Sequence, residues 1–169
     1  LPLPEEADEG IESVLERLGA GGDPTLGGEN LLALMAYQVF QDNLQAVQAA
    51  KLVFTRPASE PAFVGSEAVL DQSSLAQSNT ALLMQELRPL LEAPESFSQQ
   101  QMNLDMRDRS GAEVSVTLQI DVEGIEGLLR QRVARGVEGF LSEMQAAFAE
   151  QVPAEVHVLL AGNASLSAR

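Results

Sequence analysis

Gln101-Met102-Asn103-Leu104-Asp105-Met106-Arg107-Asp108-Arg109-Ser110-Gly111-Ala112-Glu113-Val114-Ser115-Val116-Thr117-Leu118-Gln119-Ile120-Asp121-Val122 decides the fold class of this chain. Met102, Leu104 and Met106 alternate with polar residues, and so do Val114, Val116, Leu118, Ile120 and Val122. A period of two puts every second side chain on one face, so each run is a strand with one buried side. Between them, Asp108-Arg109-Ser110-Gly111 is turn chemistry, with Gly free to take the positive φ of a tight reversal. The stretch is an antiparallel hairpin.

Downstream the period changes to that of a helix. Ile125, Leu128, Leu129, Val133, Val137, Phe140, Leu141, Met144 and Phe148 recur at spacings of three and four, which predicts a long helix over about 123–150. Gly124, Gly127, Gly136 and Gly139 fall inside it, each costing about 1 kcal/mol of helix stability relative to Ala. Their cost is offset if the backbone must approach a neighbour closely. Pro153 stops the helix, and Val156, Val158 and Leu160 alternate as a third strand before Gly162-Asn163. A helical crossover makes the second and third strands parallel and right-handed, giving a small mixed sheet. One helix covers one face of such a sheet, leaving the other to the N-terminal helices or to a partner.

Upstream, Leu32, Met35, Val39, Phe40 and Val47 form one apolar face, with Gln38, Gln41, Gln45 and Gln48 on another. Together they predict a helix over 29–54, ended by Pro57 and Pro61. Residues 62–92 read as a weaker helical stretch carrying the stripe Leu83, Leu87, Leu90 and Leu91. Ser73, Ser74, Ser78, Asn79 and Thr80 weaken its middle, so a break near Asp71 or a kink before Pro89 is expected. At the beginning, Ile11, Val14, Leu15 and Leu18 stand at i, i+3, i+4 and i+7, one stripe of a two-turn helix with Asp8 and Glu9 at its start. The following Gly19-Ala20-Gly21-Gly22-Asp23-Pro24-Thr25-Leu26-Gly27-Gly28 is a linker. The class is therefore α+β, N-terminal helices followed by a strand-strand-long helix-strand unit. Its organisation is an amphipathic arm plus Gly-rich linker over 1–28, one α+β domain over 29–162 and a tail over 163–169. The strand-strand-helix-strand order over 100–161 resembles the C-terminal core of flagellar hook-length control proteins. That likeness is one of order alone: the leucine-proline-glycine signature of that family is missing, so no residue or function carries across.

Composition narrows the chemistry. With 25 acidic and 10 basic residues the net charge is −15, a balance that repels phosphate backbones and disfavours direct nucleic-acid binding. Aromatics are 4% of the chain and Trp is absent, which argues against a base-stacking platform. The apolar runs are too short for a membrane span, so the chain is expected to be soluble, with a cytoplasmic setting slightly favoured. There is no Cys, which removes disulfides, thiolate metal sites and a Cys nucleophile. His157 is the lone histidine, and no G-x-S-x-G elbow presents a serine to it. Asp105, Asp108, Asp121 and Glu123 lack a Ca²⁺-loop spacing, and the glycine run lacks a Gly-Lys-Ser or Gly-Lys-Thr end. No cofactor is implied.

What remains is binding. The arm residues Ile11, Val14, Leu15 and Leu18 are candidate protein-binding residues. Arg130, Arg132 and Arg135 are a candidate anion-binding cluster, with Arg107 and Arg109 nearby in the hairpin. The competing reading of these arginines is surface pairing, such as Glu126 with Arg130 at i, i+4. The leading expectation is a non-catalytic protein–protein interaction or assembly module that binds a protein partner, forms a homo-oligomer, or both. Two alternatives stand beside it. One is a small-molecule or lipid carrier with a pocket between the long helix and the sheet. The other is an acidic DNA mimic that captures a basic protein.

Overall fold

A computed structural model describes residues 23, 25–149 and 155–157. Four helices and one hairpin follow in order: α1 (Gly28–Asp42), α2 (Leu44–Ala49), α3 (Ser74–Glu92), β1 (Gln101–Arg107), β2 (Glu113–Gln119) and α4 (Val122–Ala147). The class is α+β, as the two periods in the sequence require.

The hairpin is antiparallel, with Met102 opposite Leu118, Leu104 opposite Val116 and Met106 opposite Val114. Its turn is fixed by Asp108, whose Oδ1 accepts from the Ser110 and Ala112 amides at 2.9 Å and from Ser110 Oγ at 2.6 Å. Gly111 takes φ 88°, the left-handed conformation that suits a residue without Cβ. Residues alternate buried and exposed along β1, so one face joins the core. The other face carries Asn103, Asp105, Ser115 and Thr117, and it is solvated because those side chains need no cover.

α1 and α3, with the short α2, form the layer that covers the apolar side of the hairpin. Leu32, Met35, Val39, Phe40, Leu83, Leu87, Leu90, Met102, Met106 and Leu118 belong to one cluster. Phe40 and Phe54 stack within it at a centroid separation of 4.2 Å. Two buried asparagines lock the layers together. Asn43 Nδ2 donates to Gln119 O and its Oδ1 accepts from Gln119 N, both at 2.8 Å. Asn79 Nδ2 donates to Arg107 O at 2.9 Å and to Val53 O at 3.0 Å, and its Oδ1 accepts from Arg107 N at 3.1 Å. Each side-chain amide thus pairs with strand backbone as another strand would, satisfying peptide groups at the sheet edges.

Three sequence expectations change. The helix expected over 29–54 breaks at Asn43 and ends at Ala49. Lys51 takes φ 53°, with its N–H bonded to Gln48 O and the Leu52 N–H to Val47 O, which turns the chain out of the helix. Leu52–Phe54 then runs extended, bridging Leu52 to Asp108 and Phe54 to Leu70. The helical stretch expected over 62–92 does break near Asp71, but before the break it forms only a 3₁₀ turn, Ser66–Ala68, and the helix proper begins at Ser74. Ser73 caps it by accepting the Ala76 N–H, and Pro89 lies inside it without ending it. The second strand stops at Gln119 rather than Val122, because Asp121 Oδ1 accepts the Gly124 N–H and starts α4 there.

Glu155–His157 have no regular structure, so the start of the expected third strand is absent among the described residues. Val158 and Leu160, the tail over 163–169 and the arm residues Ile11, Val14, Leu15 and Leu18 lie outside the described residues. Among the described residues, the sheet is two-stranded and antiparallel rather than mixed.

Candidate functional site

α4 is 26 residues long, yet Ile125 is its one fully buried residue among those described. Its first turns are anchored. Asp121 caps the N-terminus, Ile125 enters the core, and Val122 and Leu129 pack partly against it. Further along, Arg132 Nη2 lies 3.7 Å from Glu60 Oε1, with the Arg132 side chain only 15% exposed. The Asp23 carboxyl sits below its ordinary pKa, held there first by hydrogen bonds from Thr25 and to a lesser degree by the Arg132 charge. At Gly136 the chain before α1 returns to the helix. A Cβ there would fall 1.9 Å from Leu26 Cδ1, so Leu26 rests on bare backbone. Gly127 and Gly139 have no neighbour within 4 Å of such a Cβ, so close approach explains Gly136 and neither of these two.

The rest of the apolar periodicity does not reach the core. Val133 is 45% exposed, Val137 50%, Phe140 48% and Leu141 43%. Met144 and Phe148 continue the row and are half-buried. At 100° per residue these six positions fall within an arc of about 100°, a stripe wide enough for one further helix or strand. Ile125, Leu129, Arg132 and Gly136 lie on a neighbouring arc, roughly a quarter-turn away. The helix is therefore held to the body by one side while an adjoining side faces outward. A contiguous apolar stripe on an anchored helix is a surface that gains free energy when covered.

The arginines separate on the same geometry. Arg130 is 79% exposed at the side chain and pairs with Glu126 at 2.9 Å, the i, i+4 pairing expected from the sequence. Arg132 points inward to Glu60, on nearly the opposite side of the helix from Arg130. Arg135 is exposed, with no ion pair among the described residues. In the hairpin, Arg109 Nη2 donates to Ala68 O at 2.6 Å, while the Arg107 side chain is exposed. Five arginines close in sequence thus face several directions, and the helix does not gather Arg130, Arg132 and Arg135 into one pocket.

His157 is exposed, with Nε2 3.5 Å from Glu155 Oε1. Among the described residues no group of three or more His, Asp or Glu side chains is placed to hold a metal ion, and no helix is long and apolar enough to cross a membrane. A depression of about 370 Å³ lies at the base of the hairpin, lined by Gln100, Gln119, Ile120, Asp121, Val122 and Glu123. It is open, and about half of its lining surface is polar, unlike the apolar enclosure a carrier requires.

Sequence reasoning found the apolar residues of α4 but not which of them meet the core and which face outward. Periodicity reports that a helix has an apolar side, and it gives the same signal whether that side meets the core or solvent. The available hint was length: a helix of this size next to a two-stranded hairpin has more apolar side than the hairpin can cover. No protein family, curated protein or solved structure gives a significant match to this chain.

Proposed function

We propose that this chain is a non-catalytic protein-binding or assembly module whose contact surface is the outward stripe of α4. The observation that supports it is the row Val133, Val137, Phe140 and Leu141, each close to half exposed on a helix anchored by Asp121 and Ile125. Fully burying such a side chain yields about 1.5–3 kcal/mol, so completing half of that burial returns on the order of 1 kcal/mol per residue. Four neighbours on a pre-ordered helix give a partner a central apolar anchor without the entropy cost of folding a new segment. A partner that lays an apolar helix or strand along the stripe fits this surface.

The test is stoichiometric co-purification from the native cell, comparing the chain with its Val137→Ser/Phe140→Ser variant. The expected result is a fixed-ratio complex, with a protein partner or a second copy, that the variant loses while it stays folded, its melting temperature lower by roughly 4–8 °C because the half of each side chain already buried contributes about 1 kcal/mol. A complex retained in full by the variant places the contact elsewhere. A chain that stays monomeric with nothing attached removes the reading.

A further inference from the structure

We propose that the chain's own N-terminal arm is the resident occupant of the α4 stripe: Ile11, Val14, Leu15 and Leu18 seat on Val133, Val137, Phe140, Leu141 and Met144 of the same molecule. The part concerning regulation rests on the function proposed above; the docking itself does not.

Three observations carry it. First, the path of the chain brings the arm there. Leu26 rests on Gly136, inside the axial span of the stripe, so the segment preceding it departs from α4 itself. Asp23 to Leu26 is a hydrogen-bonded turn at that contact, so residues 19–22 form the tether, and fully extended they carry Leu18 about 17 Å from Asp23. From Gly136 the stripe extends eight residues to Met144, about 12 Å along the helix. The arm therefore reaches every part of the stripe, in either direction. Second, the sizes agree. As the two-turn helix its spacing predicts, the arm would present an apolar face about 10 Å long, and the stripe from Val133 to Met144 runs about 16 Å. Third, no charge inside the stripe opposes the pairing. Residues 1–18 hold Glu5, Glu6, Asp8, Glu9, Glu12 and Glu16 against one cation, Arg17. Arg130 flanks the N-terminal end of the stripe, where it already pairs with Glu126, and no acidic side chain lies inside the apolar row.

A short tether also settles the choice between docking within one molecule and docking on a second copy. A tether of this length gives an effective concentration in the millimolar range, far above that of another molecule at ordinary protein concentrations. The consequence for function is competition: a partner must displace the arm, and its apparent affinity falls by the fraction of molecules whose stripe is open.

The absence of cysteine makes the test direct. Ser13→Cys on the arm and Gln131→Cys on α4 lie away from the two apolar faces, and spin labels there report their separation in the full chain. Two helices packed 8–10 Å apart place labels on their outer sides between about 20 and 40 Å, as one narrow peak. That peak persists when the doubly labelled chain is diluted tenfold with unlabelled chain, and it broadens with Leu15→Asp or Phe140→Asp. A broad distribution at the start, a peak unmoved by Leu15→Asp, or a peak that vanishes on dilution overturns the proposal. Leu15→Asp lies in the arm, so the test stands even where Phe140→Asp perturbs folding. With the arm displaced, partner capture rises about fivefold or more. A persistent peak with no capture by Leu15→Asp leaves the docking intact and rejects the assembly function. Capture that depends on Phe140 with no peak does the reverse.

Discussion

Replacing Asn79 with Ala should unfasten β1 from the helix layer. Asn79 is 3% exposed and makes three hydrogen bonds, to Val53 O and to both backbone groups of Arg107. At about 1 kcal/mol net for each bond, the loss is near 3 kcal/mol, and it grows if the stranded groups find no water. For a chain of this length each kcal/mol lowers the melting temperature by roughly 2–4 °C, so the expected fall is roughly 6–12 °C. Thermal unfolding followed by circular dichroism measures the total. Amide exchange supplies the local readout: the Arg107 N–H should exchange about tenfold faster or more under native conditions. Asn103→Ala is the control, since Asn103 lies on the solvated face and accepts from Thr117 Oγ1. The reasoning is refuted if Asn79→Ala melts within about 2 °C of the parent and Arg107 exchange is unchanged. Solvent would then be replacing the side chain at no cost.

Two further outcomes follow from the same geometry. Gly127→Ala and Gly139→Ala should each raise stability by about 0.5–1 kcal/mol, because the added methyl meets nothing and helix propensity improves, whereas Gly136→Ala should gain less or lose because it displaces Leu26; thermal melts of the three variants decide this. The Asp108 carboxyl sits below its ordinary pKa, first because the Ser110 hydroxyl donates to it and then because the Ala112 and Ser110 amides do. A lowered folded-state pKa contributes stability above the unfolded carboxylate pKa and loses it as pH falls through the folded value. Asp108→Ala should therefore melt below the parent at pH 7, and the gap should narrow on acidification to pH 3.

Legibility followed the strength of the local signal. The hairpin was readable because Met102–Met106 and Val114–Leu118 keep strict alternation across a turn whose chemistry is local. The core of α1 and the existence of α4 were readable for the same reason. The end of α2 was hidden, since a Lys in the left-handed region gives none of the warning a Gly gives, and residues 44–54 stay apolar enough to prolong a helical pattern. Asn79 and Thr80 looked like residues that weaken a helix. They are in fact buried tertiary contacts, Asn79 to strand backbone and Thr80 accepting from the Thr55 N–H and hydroxyl. Their one visible sign is position, because both lie on the stripe continued by Leu83 and Leu87. The arginine cluster was a cluster in sequence alone: at 100° per residue, Arg130 and Arg132 face nearly opposite ways.

The asparagine clasps also set a timetable for synthesis. Asn43 waits for Gln119, 76 residues later, and Asn79 waits for Arg107, 28 residues later. At about 5–20 residues per second, the first clasp stays open for roughly 4–15 s after its asparagine is made. Throughout that interval the apolar side of α1 has no hairpin to cover it. A nascent chain in that state offers chaperones a bare helix layer, and slowing translation between residues 43 and 119 lengthens its exposure.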